Sequence, residues 1–304
     1  VAWLWMGIGL VTANAQSPTV KSVGSLEKIG GGQEVTVVFS NPVEDASAGA
    51  VGNYSLATGT VTGAKLLTGL PKSDALGIAD NAAPFGRVFD NACVILSVQG
   101  LAAGADNTLT VKNVKARANP ADAITSVAVP FKASAYKWTE TGQLGTLAGR
   151  GQTPGQVIAI GDDGFDVFSN GGTQWANYDE VTFAFQEVTG DFDVKARLEF
   201  QDVSSRWARA GLMAREDLNS GQANPPTTTE PTLASRYADI HANPKRAFSD
   251  TAAGMVAGNY SVETHFRAEV GGQTGAQAGG RPNDPNTWLR LQRVGDTLKA
   301  YSSD

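Results

Sequence analysis

The hydrophobic residues of this chain recur with a period of two. Between Phe192 and Phe200 every second residue is apolar, and charged residues occupy the positions between them. Because successive side chains of a strand point to opposite faces of a sheet, this pattern predicts a strand with one face on a core and the other in water. A second alternating stretch, Trp207 to Arg215, follows a polar turn. Together with a shorter alternation at 181–185, the pattern predicts a three-strand meander.

The N-terminal part of the chain shows the same alternation in shorter segments. Turn-forming runs such as 30–32 and 103–106 separate these segments. Short strands at such spacing are typical of a β-sandwich. The predicted strands are Val20–Leu26, Glu34–Phe39, Tyr54–Leu56, Val61–Leu67, Cys93–Val98, Thr108–Val114 and Ser126–Phe131.

A change in composition divides the chain in two. Residues 133–155 are rich in glycine and hold little periodic pattern, so we interpret them as a linker. We therefore predict an N-terminal sandwich at 16–132 and a second all-β domain at 156–304. In the second domain the pattern predicts further strands at Ser235–Ala242 and Tyr260–Val270, and a hairpin of Trp288–Val294 with Thr297–Ser302.

The composition agrees with an all-β fold class. The chain contains 35 glycines, only 18% of its residues are charged, and no apolar run shows helical spacing. A net charge of −6 and a pI near 5.0 argue against nucleic acid as a partner, because phosphate binding needs concentrated Lys and Arg. Cys93 is the only cysteine, which excludes a disulfide framework and predicts a small buried side chain.

Residues 1–15 have the pattern of a secretory signal. An apolar stretch runs to Val11, and Ala13-Asn14-Ala15 has the small-x-small pattern that signal peptidase cleaves. The apolar run is shorter than the roughly 20 residues that span a bilayer, so we expect export and no membrane insertion after cleavage. We also expect the natural chain to extend beyond both ends of this sequence, because an initiator Met and a closing strand are both missing.

Short motifs in the N-terminal domain point to a known kind of domain. They are VVFSNPV at 37–43, ASA at 46–48 and NYSL at 53–56, followed by LAAG at 101–104 and LTV at 109–111. Together they resemble the bacterial immunoglobulin-like domains of secreted and surface-layer proteins. The resemblance implies an immunoglobulin-like β-sandwich, which in that family serves mostly as a spacer.

The second domain carries several motifs in a definite order. They are GDFDVKAR at 190–197, WARAGLMARE at 207–216 and WLRLQRVGD at 288–296, after strand-like segments at 166–175 and 179–183. They resemble the concanavalin A-like jelly-roll modules of secreted bacterial glycosidases and of surface proteins from polysaccharide-degrading bacteria. The resemblance implies a jelly roll that is incomplete at its C-terminal end, since the family pattern continues into a closing strand.

The sequence offers no catalytic constellation. Asp191 and Asp193 share a strand face, about 6–7 Å apart at Cα, and glycoside hydrolysis requires two carboxyls. The glucanases that share the jelly roll carry a Glu-x-Asp series followed by a second Glu, but Lys195 and Ala196 stand where that Glu is expected. The nucleophile motif Gly-x-Ser-x-Gly is also absent. We predict no catalytic residue and no enzyme activity for this chain.

The chain has two histidines, and neither lies in a spaced metal-ligand array. His241 shares a predicted strand face with Tyr237 and Asp239, which could hold a metal or a sugar. The alternative is a hydrogen-bonded polar strip beside a loop. Loops at 161–164 and 283–286 are rich in oxygen ligands that suit a structural calcium ion, although such segments are more often simple turns. We predict no other cofactor.

An aromatic ring beside two guanidiniums is the best candidate for ligand binding. Trp207, Arg209 and Arg215 are predicted to share one strand face. Sugars pack their C–H faces on aromatic rings and accept hydrogen bonds from guanidiniums. Alternatively, the tryptophans cover the edge of the core and the arginines pair with nearby acids. The predicted ligand residues are Trp207, Arg209, Arg215, Tyr237, Asp239 and Trp288.

These observations favour a secreted module, outside the cell or at its surface, that binds a polysaccharide or another cell-surface polymer without catalysis. One alternative is a purely structural or adhesive spacer of a surface protein. Another is an accessory region of a secreted glycoside hydrolase whose catalytic domain lies outside this sequence. The pattern does not decide the oligomeric state.

Overall fold

The computed structural model of the chain describes residues 17–69, 90–140, 155–169, 177–199, 201, 208–218, 221–222, 232–243, 262–278 and 287–303. Strands make up almost all the regular structure there, and the exceptions are α1 (Asp45–Ala48) and a 3₁₀ turn at Val51–Asn53. Both are far shorter than a bilayer-spanning helix, and the described residues contain no other candidate. The prediction of an all-β fold class is confirmed. The predicted signal, 1–15, lies outside the described residues.

The N-terminal strands agree with the alternation pattern. Each segment predicted between Val20 and Phe131 is a strand whose ends lie within two residues of the predicted ones. The strands are β1 (Val20–Lys28), β2 (Gly32–Phe39), β3 (Tyr54–Leu56), β4 (Thr60–Leu66), β5 (Cys93–Gln99), β6 (Asp106–Lys112), β7 (Ser126–Lys132), β8 (Lys137–Glu140), β9 (Gln156–Ile160), β10 (Gly164–Phe168) and β11 (Thr182–Phe185).

Most of these strands form two facing sheets with an apolar core between them. The larger sheet has the order β11-β8-β1-β2-β5-β4, and the smaller has the order β3-β6-β7. Val35, Val37 and Phe39 point from β2 into this core, where they meet Leu109 and Val111 of β6. Side chains from two inner faces that interdigitate in this way define a β-sandwich.

The opposite face of the larger sheet is covered as well, by the hairpin of β9 and β10. Ile158 of this hairpin packs in one apolar cluster with Cys93. Burial raises the pKa of the Cys93 thiol, and the prediction of a small buried side chain is confirmed. Gly24 permits the close approach of the hairpin, because a Cβ atom there would lie 2.6 Å from Ala159 Cβ. Thr36 fixes the contact by donating a hydrogen bond to Ala159 O at 2.6 Å.

Strand β8 lies inside the range predicted as a linker, yet it joins the larger sheet. It pairs parallel with β1 and antiparallel with β11. Trp138 of β8 is fully buried beside Leu26 and Val157, and its indole N–H donates to Glu34 Oε2 at 3.1 Å. Part of the predicted linker is therefore ordered, because a large aromatic side chain there finds an apolar site. The domain boundaries themselves stay a prediction.

The strands after residue 190 form a second pair of facing sheets. They are β12 (Phe192–Leu198), β13 (Ala210–Arg215), β14 (Gly221–Gln222), β15 (Thr232–Leu233), β16 (Tyr237–Ala242), β17 (Val262–Arg267), β18 (Gly275–Ala278), β19 (Thr287–Val294) and β20 (Thr297–Ser303). One sheet has the order β12-β19-β20 and the other has the order β13-β16-β17-β18, while β14 pairs with β15. Ile240 and Val262 of one sheet meet Leu289 and Leu291 of the other in an apolar cluster.

The predicted meander of 181–185, 192–200 and 207–215 is wrong in its pairing. β11 pairs with β8, β12 with β19, and β13 with β16. The apolar faces of β12 and β13 cover one core from opposite sheets. Alternation shows that a strand has an apolar face, but it does not show which strand is its hydrogen-bonded neighbour. Two strands can bury their apolar faces on the same core from opposite sheets. The hairpin of β19 and β20 is confirmed, with Gly295 in the left-handed region at φ +57°.

Replacing Trp138 with alanine tests whether β8 belongs to the larger sheet. We expect the free energy of unfolding to fall by about 3–5 kcal/mol, because removal of a fully buried aromatic side chain leaves a cavity. Denaturation followed by circular dichroism measures this loss. Trp288→Ala, at an exposed position, is the matched control and should leave stability nearly unchanged. Equal stabilities of the two variants would contradict the placement of β8.

Glu34→Gln tests the carboxyl that receives the indole hydrogen bond. Burial raises the pKa of Glu34 above its ordinary value of 4.5, against the hydrogen bond from Trp138 and the nearby lysines. The folded state therefore holds this proton more tightly, and wild-type stability should fall as pH rises above 4.5. Thermal unfolding should show the variant more stable than wild type at about pH 7 and equal to it below about pH 4. A variant that is less stable at the higher pH would show that the charged carboxylate is favourable there.

Candidate binding face and a buried polar ladder

One face of the sheet β13-β16-β17-β18 carries polar and charged side chains that are largely buried. The strand pairing places Arg215 opposite Tyr237, and Tyr237 opposite Arg267. His241 lies opposite Glu263 in the same manner. We call this set the buried polar ladder, and its members are Arg215, Tyr237, Asp239, His241, Glu263, His265 and Arg267.

Two arginines of the buried polar ladder share the carboxylate of Asp179. Arg267 donates to both of its oxygens, at 2.7 and 2.8 Å, and Arg215 Nη1 lies 3.0 Å from Oδ2. These three side chains are at most 2% exposed. The ring of Tyr237 lies 5.5 Å from Arg215 Cζ and 5.0 Å from Arg267 Cζ. The bidentate pair and the cation–π contacts offset the removal of these charges from water.

This ion network is a structural element of the fold rather than a source of protons. Burial lowers the pKa of Arg215, against the opposing charge of Asp179, and burial raises the pKa of Tyr237. An arginine keeps its charge in proteins even so. Arg215 does pair with an acid, but that acid is Asp179, which is distant in sequence, and not one of the neighbouring acids that the strand pattern suggested.

Beside the ion network, the buried polar ladder brings both histidines together. Their rings meet edge to face, with centroids 4.5 Å apart. Atoms of metal-ligand type in Asp239, His241 and His265 lie within 4.8 Å of one another. Asp239 Oδ1 lies 3.0 Å from His241 Nδ1 and accepts a hydrogen bond from the backbone N–H of His265 at 2.8 Å. Glu263 Oε2 lies 3.6 Å from His241 Nε2 and 3.5 Å from His265 Nε2.

The carboxylates and the imidazoles stabilise each other's charged forms. Burial acts to lower the pKa of His241, but its contacts with Asp239 and Glu263 together outweigh burial, and the pKa is raised. The nearby imidazoles of His241 and then His265 hold the pKa of Glu263 well below its usual range. The sequence predicted the association of Asp239 with His241. It missed Glu263 and His265, because they become neighbours only through the register of β16 and β17.

Gly211 makes room for His241 on the adjacent strand. It lies directly opposite His241 in the pairing of β13 with β16. A Cβ atom on Gly211 would lie 2.5 Å from His241 Cα, so any other residue would push the two strands apart. A glycine inside a strand often marks such a close approach of backbones. This isolated glycine in an alternating segment is the sequence signal that could have indicated the histidine cluster.

The other sheet of this sandwich exposes aromatic and basic side chains. Trp288 is 43% exposed and Tyr301 is 42% exposed. Arg197 Cζ lies 6.0 Å from the ring centroid of Trp288, and Arg290 Cζ lies 5.2 Å from that of Tyr301. The pairing of β12, β19 and β20 places these side chains on one surface. We call it the outer face, and its members are Asp193, Lys195, Arg197, Trp288, Arg290, Lys299 and Tyr301.

The outer face is basic, although the whole chain has a net charge of −6. Arg290 Nε donates to Asp193 at 2.7 Å, a contact that lowers the pKa of Asp193, and Arg197 pairs with Glu199. These contacts hold the two guanidiniums beside the two rings. Lys195 and Lys299 add further positive charge. The surface thus combines flat apolar rings with hydrogen-bond donors in a fixed arrangement.

Of the six ligand residues predicted from the sequence, the five that the structure describes do not lie together. Arg215, Tyr237 and Asp239 belong to the buried polar ladder, where a polymer at the surface would not touch them. Trp288 belongs to the outer face of the opposite sheet. Arg209 is half-buried next to the start of β13, and Trp207 lies outside the described residues.

Two residues that flank Trp288 on the outer face were not predicted from the sequence. Arg290 follows Trp288 at the next position of the same strand face, and Tyr301 lies opposite Arg290. The alternation of residues along the predicted hairpin could have indicated that these side chains share the sheet face of Trp288. Of the loops predicted to suit calcium, 161–164 is the turn between β9 and β10, where Asp162 accepts a hydrogen bond from the backbone N–H of Lys132 at 3.2 Å. The other, 283–286, lies outside the described residues, and calcium binding stays a prediction.

Solved structures of surface-layer proteins align with this chain at a low level of similarity. They are the crystal structure of the S-layer protein rSbsC and the structure of domains 1–6 of the surface layer protein SbsC, with TM-scores of 0.30 and 0.29. Each covers 95% of this chain at 10% identity, and this chain spans 41% of the length of each. Likeness at this level carries no argument about fold or function. No protein-family model and no curated protein matches the chain.

Asp179→Asn tests the structural role of the ion network. We expect a loss of about 3–5 kcal/mol in the free energy of unfolding, because two buried guanidiniums would face a neutral amide. Chemical denaturation measures the loss, and Asp193→Asn, which weakens an exposed pair on the outer face, is the matched control with little expected change. If the two substitutions had equal effects, the ion network would not contribute to stability beyond an ordinary surface pair.

Proposed function

We propose that this chain is a non-catalytic module of a secreted protein and that its outer face binds an acidic polysaccharide or a similar cell-surface polymer. The observation that carries the proposal is the pair of exposed rings, Trp288 and Tyr301, each with a guanidinium over it. Secretion is proposed from the signal pattern of 1–15. The location would be outside the cell or at its surface.

The geometry of the outer face suits an extended ligand. Trp288 and Tyr301 occupy neighbouring strands and are offset by two residues in the pairing, since Tyr301 lies opposite Arg290. Side chains in such diagonal positions are about 7–8 Å apart. Two rings at this separation on an open sheet can stack against successive parts of one chain, whereas a small molecule would favour a concave pocket.

The charges of the outer face favour an anionic polymer. Carboxylates and sulfate or phosphate groups accept forked hydrogen bonds from guanidiniums, and Arg197 and Arg290 are held in place by their acidic partners. Lys195 and Lys299 would add attraction that weakens as salt is raised, because all these groups lie at the surface. We therefore expect an acidic polysaccharide to bind more tightly than a neutral one.

For the rest of the chain we propose a supporting role. The N-terminal sandwich fits the immunoglobulin-like resemblance, and the second pair of sheets fits the concanavalin A-like jelly roll. A second candidate function is a purely structural or adhesive spacer. It is favoured by strands β8 and β11, which follow the strands of the first sandwich in sequence and extend its larger sheet. Whether the chain is an accessory region of a secreted glycoside hydrolase would be decided by residues outside this sequence.

Trp288→Ala and Tyr301→Ala test the binding face. In affinity electrophoresis through gels that contain acidic or neutral polysaccharides, we expect wild type to be retarded by an acidic one. Each substitution should weaken this retention by about tenfold or more, because central aromatic residues of an interface commonly contribute over 1.4 kcal/mol.

Phe266→Ala is the matched control for an exposed aromatic residue outside the outer face. It should leave the retention unchanged. If wild type is retarded by none of the polymers, or if the control loses retention as much as Trp288→Ala does, the binding proposal fails and the spacer function takes its place.

A further inference from the structure

The buried polar ladder contains a carboxylate–imidazole pair of the kind that orients metal ligands. Asp239 Oδ1 lies 3.0 Å from His241 Nδ1 and also accepts the backbone N–H of His265 at 2.8 Å. Because Asp239 Oδ1 acts as a hydrogen-bond acceptor, it favours the tautomer of His241 that carries its proton on Nδ1. The lone pair of this imidazole then lies on Nε2, on the side of Glu263. In metalloproteins a carboxylate commonly fixes a ligating histidine through its second nitrogen.

The Nε2 atom of His241 is a buried polar atom without a hydrogen bond. The side chain is 3% exposed, and its Nε2 has no hydrogen-bond partner among the described residues. Glu263 Oε2, at 3.6 Å, is just beyond hydrogen-bond distance. Buried polar atoms in native proteins are nearly always satisfied, and an exception calls for a partner. The two histidine rings meet edge to face at 78°, with centroids 4.5 Å apart.

Two of the donor–donor distances are close to those of a tetrahedral metal site. Glu263 Oε2 lies 3.6 Å from His241 Nε2 and 3.5 Å from His265 Nε2. With metal–ligand bonds of about 2.0–2.1 Å, two ligand atoms of a tetrahedron are about 3.3–3.4 Å apart. Glu263 Oε2 therefore already lies within a few tenths of an ångström of the required distance from each imidazole nitrogen.

We propose that His241 Nε2, His265 Nε2 and Glu263 Oε2 bind one divalent transition-metal ion, with Asp239 as a positioning residue. Two imidazoles and one carboxylate suit zinc and its first-row neighbours, whereas calcium prefers oxygen ligands only. The Glu263 side chain is 22% exposed and offers an entry route from solvent. The ion would cross-link β16 to β17 from the polar side of the sheet, and this site is independent of the proposed binding face.

The composition of the chain allows metal binding to be assigned to this site in an experiment. His241 and His265 are its only histidines, and Cys93 is its only cysteine. Cys93 is buried in the apolar cluster of the N-terminal sandwich, away from the ladder. Any tight binding of a metal that prefers nitrogen ligands must therefore involve the ladder, and the imidazole signals of a nuclear magnetic resonance spectrum report on these two residues alone.

The test is a titration of the full chain, freed of metal, with zinc chloride and separately with cobalt chloride. Calorimetry should show one zinc ion per chain, cobalt should give visible absorption of a four- or five-coordinate nitrogen–oxygen site, and zinc should shift the signals of both imidazoles. Glu263→Gln, which keeps the shape of the side chain, should weaken binding by about tenfold or more. His241→Ala should abolish the one-to-one binding.

Glu269→Gln is the matched control, because Glu269 is an exposed acid just after β17. Its zinc affinity should equal that of wild type. The proposal is overturned if zinc does not bind at equimolar concentration, if Glu263→Gln binds as tightly as Glu269→Gln, or if zinc leaves the imidazole signals in place. Circular dichroism of each variant confirms that it is folded, and the conservative Glu263→Gln decides the matter if His241→Ala does not fold.

Discussion

The bidentate pair between Arg267 and Asp179 is the contact on which the arrangement of the second sandwich depends. Arg267 is a fully buried charge on a strand whose opposite face already lies on an apolar core. A guanidinium in that position is tolerated only with a carboxylate at bonding distance, and Asp179 reaches it across 88 residues of sequence. Asp179 lies three residues before β11, a strand of the larger N-terminal sheet. The pair therefore connects the two sandwiches.

This connection explains why both faces of the sheet β13-β16-β17-β18 are covered. One face packs on the sheet β12-β19-β20 through apolar side chains, and the other presents the buried polar ladder. Side chains that would bind a ligand at a surface are used here to satisfy one another. Among the described residues, the opposite sheet keeps the aromatic side chains of Trp288 and Tyr301 exposed on its outer face. The histidine cluster, in contrast, is proposed to hold a single ion.

Alternation predicted the strands well because it depends only on neighbouring residues. The limits of β2 and β5 could be predicted to within two residues, since each strand has an apolar face that must be buried. The choice of partner strand could not be predicted, because it depends on contacts between distant segments. β12 and β13 have the pattern of a hairpin, yet each pairs with a strand that lies far along the chain or across a loop.

The candidate sites were harder to predict for the same reason. On β17 the side chains of His265 and Arg267 are buried and Phe266 is 47% exposed, the reverse of the usual relation between polarity and burial. The partners that permit this, Asp179 and Asp239, lie on other segments. Trp288 was recognised as a candidate ligand residue, and alternation alone places Arg290 on the same strand face, but the position of Tyr301 depends on the register of β19 and β20.

The arginines of the buried polar ladder are removed from water and held by fixed partners. Hydrogen exchange of arginine Nε–H groups, observed by nuclear magnetic resonance, measures this directly. Arg267 donates from Nε to Gly272 O at 3.0 Å and Arg215 donates to Ser235 Oγ at 3.1 Å, so both should exchange far more slowly than the exposed Arg236. If the Nε–H groups of Arg215 and Arg267 exchange as fast as that of Arg236, the ladder is open to solvent and the account is contradicted.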